Sequence, residues 1–353
     1  MNDVQEAAQN GNVGDLENVL IEFPDLIDDP VDYGWTPMYI AASNGHVSVI
    51  ETLVRLGSTA IDTPDNCRET PMYIAARNGH VSVIETLVRL GSTAINTPDI
   101  TGWTPMFVAA RNGHVSIIET LVRLGSTDID TPDERGWTPM YIATWYGRAS
   151  VIETLVRLGS TAIDTPDEHS WTPVYVAAMC GHVSVIETLV RLGSTAIDTP
   201  NIYGYTPMLA AACNGYVSTI ETLIRLGSTA IDTPDTDGMT PMFMAAWHEH
   251  VSVIETLVRL GSTAIDTPDK YGISSIDAAY RLERKTLITL YYLGAARNDS
   301  YSLVYNEDES AEIRHRVYFQ RSLVSRCLFH LSITNTRWIC SLRYSSSSSS
   351  KKK

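Results

Sequence analysis

No run of apolar residues in the 353-residue chain approaches the roughly 18 needed to cross a bilayer, so an integral membrane segment is not expected. The opening stretch, MNDVQEAAQN, has neither a basic cluster nor an apolar core, and no secretory leader is read there. Cysteine is scarce, odd in number and unpaired in spacing: Cys67, Cys180, Cys213, Cys327 and Cys340. That disfavours a disulfide framework and fits free thiols in a reducing, intracellular compartment, cytoplasmic or nuclear. Basic residues are outnumbered, 26 Lys and Arg against 41 Asp and Glu, giving a net charge of −15. Such a field repels nucleic acid and favours a basic partner. No nucleophile–base arrangement, Gly-rich phosphate loop or H-E-x-x-H occurs, so no enzyme, cofactor or metal centre is expected.

What fills the chain instead is repetition. Thr-Pro returns at Thr36-Pro37, Thr70-Pro71, Thr104-Pro105, Thr138-Pro139, Thr172-Pro173, Thr206-Pro207 and Thr240-Pro241, always 34 residues on. The block GWTPMYIAASNGHVSVIETLVRLGSTAIDTPDNC at 34–67 is copied with little change down to residue 271. A fixed period of this length marks stacked units, each burying its apolar face against its neighbours.

Within a block the local signals predict two short antiparallel helices and a loop. Thr36 is suited to cap a helix and Pro37 to its first turn, where the missing N–H is not needed. Asn44-Gly45 ends that helix, with the glycine left-handed. A second helix starts between His46 and Ser48, where Ser48-x-x-Glu51 has the form of a capping box. Its apolar face is read as Val47, Ile50, Leu53, Val54 and Leu56, and Gly57 stops it. Ser58 to Cys67 reads as a loop.

These residues resemble the ankyrin repeat: G-x-T-P at the start, then A-A-x-x-G-H, a V-x-x-L second helix, L-G, and an Asp near the hairpin tip. The resemblance spans roughly residues 4–295, in seven near-identical copies. The tetratricopeptide repeat shares the length, but its W-x2-L-G-x2-Y signature is absent. The usual ankyrin unit has about 33 residues, which places one extra residue here in Gly57–Asp65. The family's His after T-P-L is replaced by Tyr39, Tyr73, Phe107, Tyr141, Tyr175, Leu209 and Phe243. The resemblance implies an all-α ankyrin-repeat solenoid of paired antiparallel helices with hairpin loops. It also implies a non-enzymatic protein-binding role, with hairpin tips and first helices lining one concave surface.

The ends are worn copies. Residues 1–33 keep Ala7-Ala8 and Asn10-Gly11 in register and read as an N-terminal capping repeat, made polar by Gln5, Gln9, Asn12, Asp15 and Asn18. Residues 34–271 hold the seven full repeats, and 272–296 read as a degenerate C-terminal cap with Ser274-Ser275 in place of Thr-Pro. Residues 297–353 form a basic tail ending in SSSSSSKKK, too biased in composition to fold. The tail carries +5 and the rest −20.

Recurrent residues read as scaffold. His46, His80, His114, His182 and His250 share a position that Arg148 and Tyr216 fill elsewhere, and in the family such a ring braces the loop to the next repeat. Cys180, Cys213 and His182 lie near one another in the repeat register, but isolated cysteines are more often small core residues than zinc ligands. Glu51/Arg55 and its copies favour pairing four apart, or a charge ladder along the outside. Asp62, Asp65 and their copies are of the kind that bond hairpin backbone.

Function is therefore sought where the copies differ. The residue before Thr-Pro is Trp35, Glu69, Trp103, Trp137, Trp171, Tyr205 or Met239, and the hairpin tips vary from Asn66-Cys67 to Lys270-Tyr271. The end of the first helix carries Arg77, Arg111, Trp145-Tyr146, Met179 or Trp247. Large rigid aromatics suit an interface centre. Trp35, Trp103, Trp137, Trp171, Tyr205, Trp145, Tyr146, Arg77, Arg111, Met179 and Trp247 are thus the expected partner-binding residues. The expected partner is a protein with a basic or aromatic-compatible surface, held by a monomeric intracellular scaffold or adaptor. Two alternatives are a substrate-recognition subunit of a ubiquitin-ligase-type complex and a peripheral membrane tether, both working through the tail.

Overall fold

A computed structural model describes residues 3–280. The second half of the closing cap and the whole basic tail lie outside the described residues, as do the recruiting and tethering roles considered for the tail. Seventeen α-helices and no strand are found among the described residues. No helix there is long and apolar enough to cross a membrane.

Every repeat begins the same way because its first four residues settle the geometry. Thr36 is extended and its Oγ1 accepts the Tyr39 amide at 3.2 Å, so Pro37–Asn44 starts capped, with Pro37 inside the first turn. The same start opens Pro71–Asn78, Pro105–Asn112, Pro139–Trp145, Pro173–Cys180, Pro207–Cys213 and Pro241–Trp247. All six residues from Pro37 to Ala42 are buried, because this helix is packed against the equivalent helix on each side. Gly45 follows at φ +81°, and a Cβ there would come within 2.9 Å of the His80 ring of the next repeat. Glycine is thus required both by the left-handed turn and by its neighbour.

The second helices are Val47–Arg55, Val81–Arg89, Val115–Arg123, Ala149–Arg157, Val183–Arg191, Val217–Arg225 and Val251–Arg259. Three sequence expectations need correction here. The capping box does not form: His46 is the cap residue without a side-chain cap bond, which puts Ser48 inside the first turn. The buried face is Val49, Ile50, Thr52 and Leu53, whereas Val47 and Val54 are half-buried and Leu56 is exposed. Nor do Glu and Arg pair four apart. The other reading holds, a ladder between units: each Arg pairs with the Glu of the preceding unit, from Arg55–Glu17 through Arg89–Glu51 to Arg259–Glu221, along the exposed side of the second helices.

Two further ties run between units. His46 Nε2 meets the Gln9 carbonyl at 3.0 Å, and His80, His114, His182 and His250 do the same one repeat on, while Arg148 Nε donates to Arg111 O. The brace runs back to the preceding repeat, not forward. Asp62 accepts from the Ser92 hydroxyl and from the Thr93 amide and hydroxyl of the following loop. Asp130, Asp164, Asp198 and Asp232 repeat this contact. The near-constancy of GSTAID among repeats follows, since each loop must dock on an almost identical one.

The N-terminal unit, Asp3–Asn10 and Val13–Glu22, packs by Val4, Ala7, Ala8, Leu16 and Leu20. Gln5, counted among its polar surface from sequence, is instead fully buried and donates to the Asp29 carbonyl at 2.8 Å. At the other end Ser274 and Asp277 cap each other's backbone amides, so a reciprocal cap replaces Thr-Pro before Ser275–Tyr280.

Candidate partner-binding face

Six of the seven hairpins between repeats are built on an aspartate, and the one at Asn201 on an asparagine. Asp65 Oδ1 accepts the amides of Cys67 and Glu69 at 2.8 and 2.9 Å, closing the turn. Its Oδ2 takes the indole N–H of Trp35, 30 residues back, at 3.2 Å. Trp103 to Asp133 and Trp137 to Asp167 repeat this bond at 3.1 and 3.4 Å. The tyrosines that stand in for the family's histidine take part as well. Tyr141 Oη reaches Asp167 at 3.0 Å and Tyr73 Oη reaches Asp99 at 3.2 Å. Before Thr-Pro, Trp35, Trp103 and Trp137 each carry a stacked ring four residues on, Tyr39, Phe107 and Tyr141, and Tyr175 is tilted against Trp171.

In repeats two to four the residue before Thr-Pro also meets the residue at the end of its own first helix, eight positions on. Arg77 forms a salt bridge with Glu69 at 2.8 Å. The Arg111 guanidinium lies 5.1 Å from the Trp103 ring and 5.3 Å from Tyr146 of the next repeat. Trp145 stacks on Trp137 at 5.5 Å. Trp247 and Tyr205 pack on a cluster of Leu209, Met239, Phe243 and Met244. In repeats two, three and four the two variable positions are therefore one coupled position, solved with a different pair in each. In repeat two the solution is a network: Tyr39 Oη donates to Glu69 at 2.8 Å, and burial pushes the Glu69 carboxyl up in pKa against the pull of Arg77.

Exposure divides the expected residues. Trp137 and Trp171 are only 6% and 5% exposed: Trp137 lies against Tyr141, Trp145 and Asp167 of the next hairpin, and Trp171 against His169 and Tyr175. Trp35, Trp103, Tyr205, Trp145, Arg77, Arg111, Met179 and Trp247 are half-buried, and Tyr146 is exposed. The residues that stand out most at the tips are Tyr33, Ile100, Ile202, Tyr203 and Tyr271, each at least 43% exposed; all but Tyr33 belong to the tip pairs that vary among the copies, though none was among the expected binding residues. Apolar side chains in an otherwise polar loop were the available signal. Adjacent tips are joined by backbone bonds such as Asn66 N to Tyr33 O, Ile100 N to Cys67 O and Thr236 N to Tyr203 O, so they form one row.

Among the described residues no group of three His, Cys, Asp or Glu side chains is placed to hold a metal ion. Burial pushes the Cys180 thiol up to about 12, so it stays protonated.

No curated protein sequence matches the chain. In structure it is similar to the ankyrin repeat domain of human ASB11, at 22% identity and a TM-score of 0.56, over 65% of this chain and 99% of that one. A family model described as ankyrin repeats (3 copies) matches residues 4–99, 90–164, 128–201, 159–233 and 194–270. Ankyrin repeats are in general protein–protein interaction modules. With helix pairs, capped turns and hairpins in register from end to end of that match, the chain belongs to the ankyrin-repeat family.

Proposed function

We propose that this chain is a non-enzymatic scaffold that binds a protein along the row of hairpin tips and the inner ends of the first helices. The carrying observation is the distribution of exposed apolar side chains. Of the ten large ones exposed among the described residues, Tyr33, Ile100, Ile202, Tyr203 and Tyr271 are at tips and Tyr146 is at a first-helix end. The exposed side of the second helices presents mutually paired Glu and Arg, with Ile21 and Leu56 the exposed apolar residues beside its first rung. Large apolar contacts set in a polar surround are what an interface needs. Trp35, Trp103, Trp145, Tyr146, Tyr205, Trp247, Met179, Arg77 and Arg111 supply the half-open floor of this face, and Trp137 and Trp171 pack beneath it. Differing pairs along the array read different parts of one extended partner, and the surplus of carboxylates favours a basic one overall.

The test compares three immobilised full-length proteins for what they retain from cell extract, quantified by mass spectrometry. One is unaltered, one has Ile100, Ile202, Tyr203 and Tyr271 replaced by Ser, and one has Glu119, Glu153 and Glu187 replaced by Ala. The tip variant should lose a specific set of proteins by about tenfold or more, the ladder variant none, with circular dichroism unchanged in both. Equal retention by the tip variant, or loss in the ladder one, would remove this face as the binding surface.

A further inference from the structure

The hairpin joining repeats five and six departs from the others. Its turn residue is Asn201, where the other six hairpins have Asp65, Asp99, Asp133, Asp167, Asp235 and Asp269. Asn201 Oδ1 does what the aspartate Oδ1 does elsewhere, accepting the amides of Tyr203 and Tyr205 at 2.9 and 3.0 Å. Its Nδ2 therefore occupies the place from which Asp65, Asp133 and Asp167 offer Oδ2 to an indole N–H. The indole in register here is Trp171, and it also brings a donor. By register, two N–H groups face the place where every equivalent site with a tryptophan has a donor and an acceptor. Trp171 Nε1 and Asn201 Nδ2 both lack a hydrogen-bond partner, on side chains only 5% and 6% exposed. A buried donor left unmade is costly, and two at one point call for an acceptor.

We infer that this junction is a subsite for a carboxylate carried by the bound protein. The inference rests on the proposed binding face and specifies what one part of it recognises. Three observations favour a carboxylate. A single carboxylate has two oxygens and can satisfy both donors, with charge-assisted bonds stronger than those of a neutral acceptor. The substitution of Asn for Asp removes from this hairpin the negative charge that would repel it; the other six retain theirs. Flanking the donors is the Ile202–Tyr203 tip, 52% and 43% exposed, which offers apolar contact to residues beside the acid. Neither donor is open to solvent, so the acid enters as this tip shifts outward. The tip's bond to the preceding one, Ile202 N to His169 O at 3.3 Å, is long for its type. A partner basic overall would thus be set in register on the array by one acidic residue.

The experiment follows the indole N–H resonance of Trp171 in the full-length chain, with 15N-labelled tryptophan and assignment by Trp171→Phe. The probe is a blocked Leu-Glu-Leu tripeptide, with the Leu-Gln-Leu peptide as its neutral counterpart. A saturable downfield movement is expected with the Glu peptide and one about tenfold weaker in affinity with the Gln peptide. Asn201→Asp restores the acceptor within the chain. It should bring the unliganded Trp171 resonance toward that of Trp137 and abolish the response to the Glu peptide. No saturable movement with the Glu peptide, an equal response to both peptides, or a response that survives in Asn201→Asp overturns the inference. So does a long-lived water at Trp171 Nε1 that the peptide leaves in place. Because the titration uses no natural partner, its outcome is independent of the capture comparison that tests the binding face.

Discussion

The indole of Trp145 stacks on that of Trp137, with ring centroids 5.5 Å apart and planes inclined by 25°. Trp137 also stacks on Tyr141 and donates to Asp167, whereas Trp145 is half-open at the helix end. The two should therefore respond differently to truncation. Trp137→Ala leaves a large void and removes one of the two bonds on Asp167 Oδ2, Tyr141 Oη keeping the other, with an expected loss of about 3–5 kcal/mol. Trp145→Ala should lose on the order of 1 kcal/mol while weakening partner capture more strongly than Trp137→Ala does per folded molecule. Glu153→Ala, in the exposed Arg–Glu ladder, should change stability by less than about 1 kcal/mol. Urea denaturation of the three variants checks the order; Trp137→Ala as mild as Glu153→Ala would contradict it.

Asp128 occupies a buried position that is alanine in the other six repeats, from Ala60 to Ala264. One carboxylate oxygen is bonded by Thr131 and the other has no partner, and burial raises the carboxyl's pKa. Asp128→Ala should therefore stabilise the chain by on the order of 1 kcal/mol at neutral pH. A raised folded pKa means that the native state is relieved as the acid protonates. The advantage of Ala should accordingly shrink as pH falls toward the carboxylate range. Denaturant midpoints at neutral and mildly acidic pH decide; a destabilised variant would show that Asp128 has a bond worth more than its burial.

Glu249 is held at φ +61°, where the other six repeats carry a glycine. The left-handed conformation costs a side chain roughly 1–2 kcal/mol, so Glu249→Gly should raise stability by about 1 kcal/mol. Repeat seven should also open before repeats one and two in hydrogen exchange, and Glu249→Gly should slow that opening. Earlier loss of protection in repeats one and two would reverse the order. Arg68 and Ser170, at φ +61° and +60° in the hairpin glycine position, should gain similarly on replacement by Gly.

Asp235 is pushed up to about 6 by burial, against the opposing pull of the Met239 and Asp237 amides. Its folded pKa lies above the unfolded one, so its contribution to stability is complete below about pH 4 and is lost as pH rises through 6. Asp235→Asn keeps the turn-closing oxygen, as Asn201 does, without the ionisation. After allowance for solvent screening, the variant should gain on the order of 1 kcal/mol relative to the parent between pH 5 and pH 8. Parallel unfolding curves across that range would show no titration of this group.

Much of the fold was legible because its rules are local. Thr36-Pro37 and Asn44-Gly45 fix a helix start and a left-handed stop through their own backbone chemistry, so both boundaries fell where the residues put them. Features that depend on the next unit were harder to see. Glu51 looked like a capping partner of Ser48, but Arg89 of the following repeat holds it. Trp137 looked like an open anchor, and only the return of the chain at Asp167 shows it to be covered. The coupling of Glu69 with Arg77 and of Trp103 with Arg111 joins residues that sequence reading treated as separate variable positions. At Asn201 a one-atom difference from Asp is visible in the sequence, but its meaning depends on which donor Trp171 brings to it.

The uniform Arg–Glu ladder has a consequence for how the chain assembles. Since Arg89, Arg123, Arg157, Arg191, Arg225 and Arg259 each meet the same kind of rung, any copy can dock on any other with the same outer contacts. A whole unit excised in frame leaves two ends that fit, so the array's reach is adjustable in steps without a new junction being invented. The same interchangeability admits an error. During folding a repeat can settle on the copy after next and loop one unit out, a trap inherent in near-identical neighbours. The irregular residues Glu69, Asp128, Asn201 and Glu249 are then also address labels: each marks one unit as different from the next and gives the chain a means of counting its own repeats.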